Sequence, residues 1–116
     1  MRKIQFTLMI VVAGFFAIAM NGCKKTVLQD PRARIINNGT QKASVQIKTS
    51  NGNTVNINNV DPSTSSAYSS YAAGQVTFTI TVSNNNYVKI LDIGKGYDYD
   101  IAIDANNNIT SISIHQ

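Results

Sequence analysis

The chain has 116 residues, 43% of them hydrophobic and 14% charged, with a formal net charge of +4. This length leaves room for one domain, whose thin core has little volume for a deep enclosed active site. Arg2 and Lys3 belong to a segment predicted to be cleaved, and eight basic residues then face six aspartates, a net charge of +2. Nucleic-acid binding is not expected, because these basic residues form no stripe that would follow a phosphate backbone.

The N-terminus has the pattern of an export signal. Arg2 and Lys3 are followed by residues 4–20, which are apolar apart from Gln5 and Thr7. A positive start followed by an apolar run is typical of a secretory signal peptide. A transmembrane anchor is the alternative, but a span needs about 20 apolar residues, more than are present here.

The end of this segment, Ala19-Met20-Asn21-Gly22-Cys23, resembles the lipobox of bacterial lipoproteins, although Asn21 stands where Ala, Ser or Thr is commoner. The resemblance implies cleavage of residues 1–22, a diacylglycerol on the Cys23 thiol, and a third acyl chain, such as palmitate, on its amine. Each buried methylene contributes about 0.8 kcal/mol, so such chains hold a protein firmly on a membrane. Cys23 is the only cysteine, which excludes an intramolecular disulfide and leaves a free thiol as the alternative.

Lys24 and Lys25 follow the cysteine, whereas surface-exported lipoproteins of Bacteroidota usually carry an acidic run there. The resemblance therefore implies a cell-envelope protein, lipid-anchored in the outer membrane and facing the periplasm. Its expected partners are membrane lipid through Cys23 and either envelope proteins or glycans. No cofactor is expected beyond the covalent lipid.

In the predicted mature chain, residues 23–31 form a tether and residues 32–116 form the folded domain. The first strand is predicted at 33–36, followed by a turn at 37–40. Alternation at 43–49 and 55–60 around Asn51-Gly52 predicts a hairpin with a type I′ turn. A polar connection follows at 61–66.

The longest alternating run, 75–82, predicts a strand with Val76, Phe78, Ile80 and Val82 facing inward. Residues 87–93 are apolar on both parities, which favours a strand covered on both sides or containing a bulge.

Near the end of the chain, Tyr99, Ile101 and Ile103 are predicted to face inward and the neighbouring aspartates outward. A last strand at 109–114 is predicted to place Ile112 and Ile114 inward. Seven or eight short strands with no helical period predict an all-β fold, a small antiparallel sandwich, with a small barrel as the alternative.

The order of these segments resembles the DUF4397-type domains of Bacteroidota envelope lipoproteins. The resemblance is carried by 33–37, 55–60, Ser66-Ala67-Tyr68, 73–78 and Tyr99-Asp100-Ile101. It implies an Ig-like or transthyretin-like sandwich in the cell envelope, and it carries over no catalytic residues.

The sequence offers few candidates for catalysis. His115 is the only histidine and stands next to the last residue, where we expect an exposed, frayed position. Asp98, Asp100 and Asp104 share one predicted strand face, which we expect to be a solvated outer face. The alternative is a hydrolase that uses a pair of these carboxylates.

Two further sequence patterns could indicate ligand binding, one for calcium and one for a glycan. Asp104, Asn106 and Asn108 repeat the start of a calcium loop, but the following Gly and the later Glu are absent, which favours an Asn-rich turn. Tyr68 and Tyr71 are candidates for stacking on a glycan if both stand on one exposed face. The leading hypothesis is a non-catalytic, lipid-anchored binding or structural module.

Overall fold

The computed structural model describes residues 27–116, so the predictions for the signal segment and Cys23 lie outside the described residues. This part of the chain contains nine β-strands and no helix, and hence no helix able to cross a membrane. The strands are β1 (Arg32–Asn38), β2 (Ala43–Lys48), β3 (Thr54–Val60), β4 (Thr64–Ser65), β5 (Ser69–Ser70), β6 (Gly74–Val82), β7 (Asn85–Ile93), β8 (Tyr97–Asp104) and β9 (Ile109–His115).

The strands form two sheets that pack as a sandwich. One sheet has the order β4-β1-β8-β9, with β5 also paired to β1, and the other has the order β3-β2-β6-β7. Neighbours are antiparallel except β1 and β8, which run parallel. The predicted all-β sandwich is confirmed, and the additional strands are the two-residue β4 and β5 in a polar segment without alternation.

The core consists of the inward side chains of both sheets. Val76, Phe78 and Ile80 of β6 are fully buried, as predicted, and they pack in one cluster with Ile35 and Ile101 of the opposite sheet. Alternating burial along these strands reflects the two-residue period of a pleated strand.

The predicted hairpin at β2–β3 is confirmed, but its turn is wider than the predicted type I′ turn. Gly52 has a positive φ of 89° and Asn51 does not, whereas a type I′ turn needs both. The loop is closed by backbone and side-chain hydrogen bonds between Thr49 and Asn53. The Thr49 hydroxyl thus stabilises a longer loop than the dipeptide alone predicts.

The prediction for β9 assigned its side chains to the wrong faces of the strand. Ile112 and Ile114 are 61% and 42% exposed on the outer face. The hairpin sets this parity, because Ile109 pairs with the buried Ile103, and Ser111 then faces inward opposite Ile101.

The prediction for β7 is also corrected. β7 is an edge strand that pairs with β6 over nine consecutive positions without a bulge. Val88 and Ile90 lie on its outer face and are 57% and 56% exposed. The apolar residues of both parities therefore do not indicate a strand covered on both sides.

Asn37 is a buried polar residue in β1, where the sequence predicted a turn. It is 1% exposed, and its Nδ2 donates to the carbonyl oxygens of Gln41 and Val60 at 2.7 and 2.9 Å. Its Oδ1 accepts a hydrogen bond from the Gly39 amide. One side chain therefore ties the β1–β2 loop to the end of β3.

We expect Asn37→Ala to lower the free energy of unfolding by about 1–3 kcal/mol, because buried carbonyl groups lose their donors. Asn58→Ala, at an exposed position of β3, is the control and should change it by less than about 0.5 kcal/mol. Urea denaturation monitored by circular dichroism measures both. Equal effects of the two substitutions would contradict the structural role of Asn37.

Candidate functional site

The sandwich has two distinct ends, defined by where the chain reaches β1. Residues 27–31 lie against the β7–β8 turn, where the Gly96 amide donates to the Gln29 carbonyl at 2.9 Å. We call this the proximal end, formed by the turns at 49–53, 71–73 and 94–96. The distal end is formed by the loops at 39–42, 61–63, 83–84 and 105–108.

Left-handed backbone conformations separate the two ends. Within residues 27–116, all non-glycine residues with positive φ lie at or beside the distal end, and the positive-φ glycines lie at the proximal end. The former are Asn59, Ser63, Ser83, Asn84 and Asn107, with φ between 51° and 67°. Such conformations cost roughly 1 kcal/mol or more each and concentrate at binding and switch regions. The distal loops are therefore the candidate functional site.

A small polar recess lies between the distal loops. Its volume is about 90 Å³, enough for a few water molecules and too small for a complete sugar ring or a drug-sized ligand. Its polar lining includes Asn37, Thr40, Gln41, Ser83, Asn85, Asp104 and Asn107. Ser83 and Gln41 form a hydrogen bond between two of these loops. This surface suits hydrogen bonding to a partner that covers the loops from outside.

The predicted calcium residues form a hairpin turn. Oδ1 of Asp104 accepts hydrogen bonds from the backbone amides of Asn106 and Asn108 at 2.8 and 2.9 Å. Asn107 turns its side chain inward and donates to the Tyr87 hydroxyl. This geometry is an Asx-type turn. No cluster of three or more His, Cys, Asp or Glu side chains that could hold a metal ion is present in the part of the chain described.

Two ion pairs connect β1 and β8 on the outer face of their sheet. Arg32 and Asp98 form two hydrogen bonds of 2.8 and 2.5 Å. Arg34 and Asp100 form two of 2.9 and 3.2 Å. Both are direct neighbours in the parallel register. The prediction of a solvated outer face is therefore wrong for Asp98 and Asp100, whose side chains are only 12% and 14% exposed because each is bound by an arginine.

Tyr68 covers these pairs. Its ring centroid lies 5.2 Å from the Arg32 guanidinium carbon and 4.8 Å from that of Arg34, within the range of cation–π contacts. Its hydroxyl donates to Asp100 at 2.5 Å. We call Arg32, Arg34, Tyr68, Asp98 and Asp100 the ion-pair cluster.

The electrostatics of the cluster do not favour the alternative hydrolase. Hydrogen bonds from Arg32 lower the pKa of Asp98, and those from Arg34 lower the pKa of Asp100. The hydrogen bond to Asp100 raises the pKa of the Tyr68 phenol. A general acid in sugar hydrolysis needs a carboxyl pKa shifted upward. Asp104, the third candidate, serves as the turn acceptor described above.

The proposed tyrosine platform is not present as predicted. Tyr71 is only 6% exposed, and burial raises the pKa of its hydroxyl. Tyr68 stacks on arginine, so the two rings do not form one exposed face. The Tyr71 side chain packs in the core cluster, and its backbone amide donates to the Pro31 carbonyl at 2.9 Å.

His115 is exposed, as expected, and it is the last residue of β9 and pairs with β8. Its ring centroid lies 4.5 Å from that of Tyr97, its partner across the strands. The following residue, Gln116, donates to the Asp30 carbonyl and to the Asp98 carboxylate.

Arg32 and Arg34 were missed by the sequence reasoning. A usable signal exists, because the arginines of β1 and the aspartates of β8 alternate with apolar residues, which predicts that each pair lies on the outer face of its own strand. Which strands are neighbours cannot be read from that alternation, so the pairing itself stayed hidden.

Comparisons with known proteins show the fold alone. No protein-family model and no curated protein matches the chain. The chain is similar in structure to a protein from Eubacterium rectale solved by NMR, with a TM-score of 0.54 and 16% identity over 76% of this chain and 91% of that one. It is also similar to the C-terminal domain of AlgF from P. aeruginosa, with a TM-score of 0.51 and 14% identity over 76% of this chain and 99% of that one.

Stability should depend on pH through Asp98 and Asp100. Their pKa values are lowered by folding, so their contribution is present above the unfolded pKa of about 3.9 and is lost as pH falls below it. We expect the double variant Asp98→Asn/Asp100→Asn to lose less stability than the wild type between neutral and strongly acidic pH. Urea denaturation across this range is the measurement, with Asp92→Asn on exposed β7 as the control. Parallel pH profiles for wild type and double variant would contradict it.

Proposed function

We propose that this chain is a non-catalytic, lipid-anchored protein of the cell envelope that binds a partner through its distal loops. The export pattern and Cys23 support the anchor. The partner is an envelope protein or a glycan, and binding requires no cofactor.

The observation that carries this proposal is the opposition of the two ends. The chain joins the sandwich at the proximal end, where the Lys95 and Asp30 side chains lie 3.8 Å apart. The loops with left-handed Asn and Ser residues lie at the other end of strands about eight residues long, which corresponds to about 25 Å. A tether at residues 23–31 would therefore direct the distal loops away from the membrane.

The chemistry of the distal loops supports a polar partner. Asn84, Asn106 and Thr40 carry amide or hydroxyl groups, which donate and accept hydrogen bonds without a net charge. Loops on a rigid sandwich are a common place for binding residues.

The anchor is tested by mass spectrometry of the full chain expressed in a Gram-negative host. We expect the mature protein to begin at an acylated Cys23 and to partition with the membrane fraction. Cys23→Ser should remain soluble or keep its signal, because no thiol is available for the lipid. An unmodified N-terminus on the wild type, or equal membrane partitioning of a variant that has lost residues 1–22, would contradict the anchor.

The binding end is tested by site-specific photo-crosslinking in intact cells. A photoreactive residue at Asn84 or Asn106, both in distal loops, should give a discrete adduct with an envelope protein or glycan. The same residue at Asn51, in a proximal turn, is the matched control and should give none. Adducts from Asn51 alone, or none from the distal positions, would contradict distal binding.

A further inference from the structure

The two sides of the sandwich differ in how their edge strands are protected. On one side the edges are β3 and the pair β4 and β5. β4 and β5 have two residues each, and the register of β3 shifts at a bulge opposite Ala43 and Val45. Short strands and bulges prevent an edge from pairing with another chain. This side is therefore blocked.

The opposite side has no such protection. β7 and β9 are edge strands of nine and seven residues that contact each other across the two layers. Neither contains Pro or Gly, and their pairing with β6 and β8 is continuous. Of the six large hydrophobic side chains that are exposed in residues 27–116, four are on these strands: Val88, Ile90, Ile112 and Ile114.

The layers are also open between these two strands. A groove of about 350 Å³ lies between β7 and the β8–β9 hairpin, lined by Leu91, Asp92, Tyr97, Tyr99, Ser111 and Ser113. Long, exposed, apolar edge strands are sites of pairing with another chain. An additional strand on β9 would continue the sheet and cover one wall of this opening.

The composition of β9 favours a second copy of this chain as the occupant. Residues 109–115 contain no Asp, Glu, Lys or Arg, so no like charges meet when the strand pairs with itself. Antiparallel pairing of identical strands follows a two-fold axis. With the axis at Ile112, this residue faces its own copy, Thr110 faces Ile114, and Ser111 faces Ser113. The outer face thus brings together isoleucine and threonine side chains, and on the inner face the serines meet and Ile109 faces His115.

β7 is less suited to the same pairing. It carries Lys89 and Asp92, and charged side chains on an edge strand disfavour pairing with another chain. The neighbouring strand β8 adds no unpaired charge beside β9, because its Asp98 and Asp100 each form an ion pair with an arginine. The uncharged edge is therefore the self-complementary one.

We propose that β9 pairs antiparallel with β9 of a second copy, which joins the two β4-β1-β8-β9 sheets into one continuous sheet. The pairing needs neither the lipid anchor nor a partner at the distal loops. Because the two-fold axis reverses the strand direction, the distal loops of the two copies point in opposite directions and stay uncovered, so the pair forms between copies that are not anchored in the same membrane.

Disulfide trapping tests the two-fold axis. In a Cys23→Ser background of the full chain, the introduced thiol is the only one. Ile112→Cys should form a disulfide-linked dimer on mild oxidation at least tenfold faster than Gln46→Cys, an exposed position on the central strand β2. Equal rates, or crosslinks only to another protein, would overturn the proposal.

Analytical ultracentrifugation of the full chain tests the interface without a crosslink. The wild type should be a dimer, and Ile112→Lys, which places two ammonium groups on the axis, should raise the dimer dissociation constant at least tenfold. Val88→Lys on β7 is the control and should leave it within twofold. Circular dichroism verifies that both variants are folded. A monomeric wild type, or equal weakening by both variants, would overturn pairing through β9.

Discussion

The parallel pairing of β1 with β8 is the constraint on which the rest of the structure depends. It joins the first strand to the next-to-last across a separation of 66 residues. Parallel strands are normally covered on both faces, often by helices. Here the inner face is covered by the second sheet, and Tyr68 and the two ion pairs cover the outer face. The arginine side chains stay 45% and 33% exposed, whereas the aspartates bound to them are only 12% and 14% exposed.

The ion-pair cluster also selects the register of this pair. A shift of β1 by one residue would turn Arg32 and Arg34 into the core and Ala33 and Ile35 out of it. A shift by two would leave one arginine and one aspartate without partners. The observed register is the one that satisfies both charges and the core, so a polar surface feature and the apolar interior specify the same alignment. Ser66 holds the other edge of β1, since its hydroxyl accepts a hydrogen bond from the Ile35 amide.

The sequence was sufficient to predict the fold class and the longest core strand, because burial at Val76, Phe78 and Ile80 follows directly from alternation. It was insufficient for β9, because the two-residue period allows either Ile109 or the pair Ile112 and Ile114, but not all three, to face the core. The length of the Asp104–Asn108 turn decides that competition, and strand alternation carries no information about turn length. The distal site was equally hidden. Positive φ at Ser83 and Asn84 depends on which strands the loop must join, and only the turn itself could be predicted.

The parallel ladder has a mechanical consequence. A pull on residues 27–31 acts along the axis of β1, which is hydrogen-bonded to β8 throughout its length. A load in this direction shears all the rungs of the ladder together, whereas a load across a hairpin edge opens its rungs one at a time. The two arginine–aspartate ion pairs lie in the first residues of β1, next to the segment that is pulled. The sandwich is thus built to resist tension along its N-terminal tether better than tension that peels β9 from its edge.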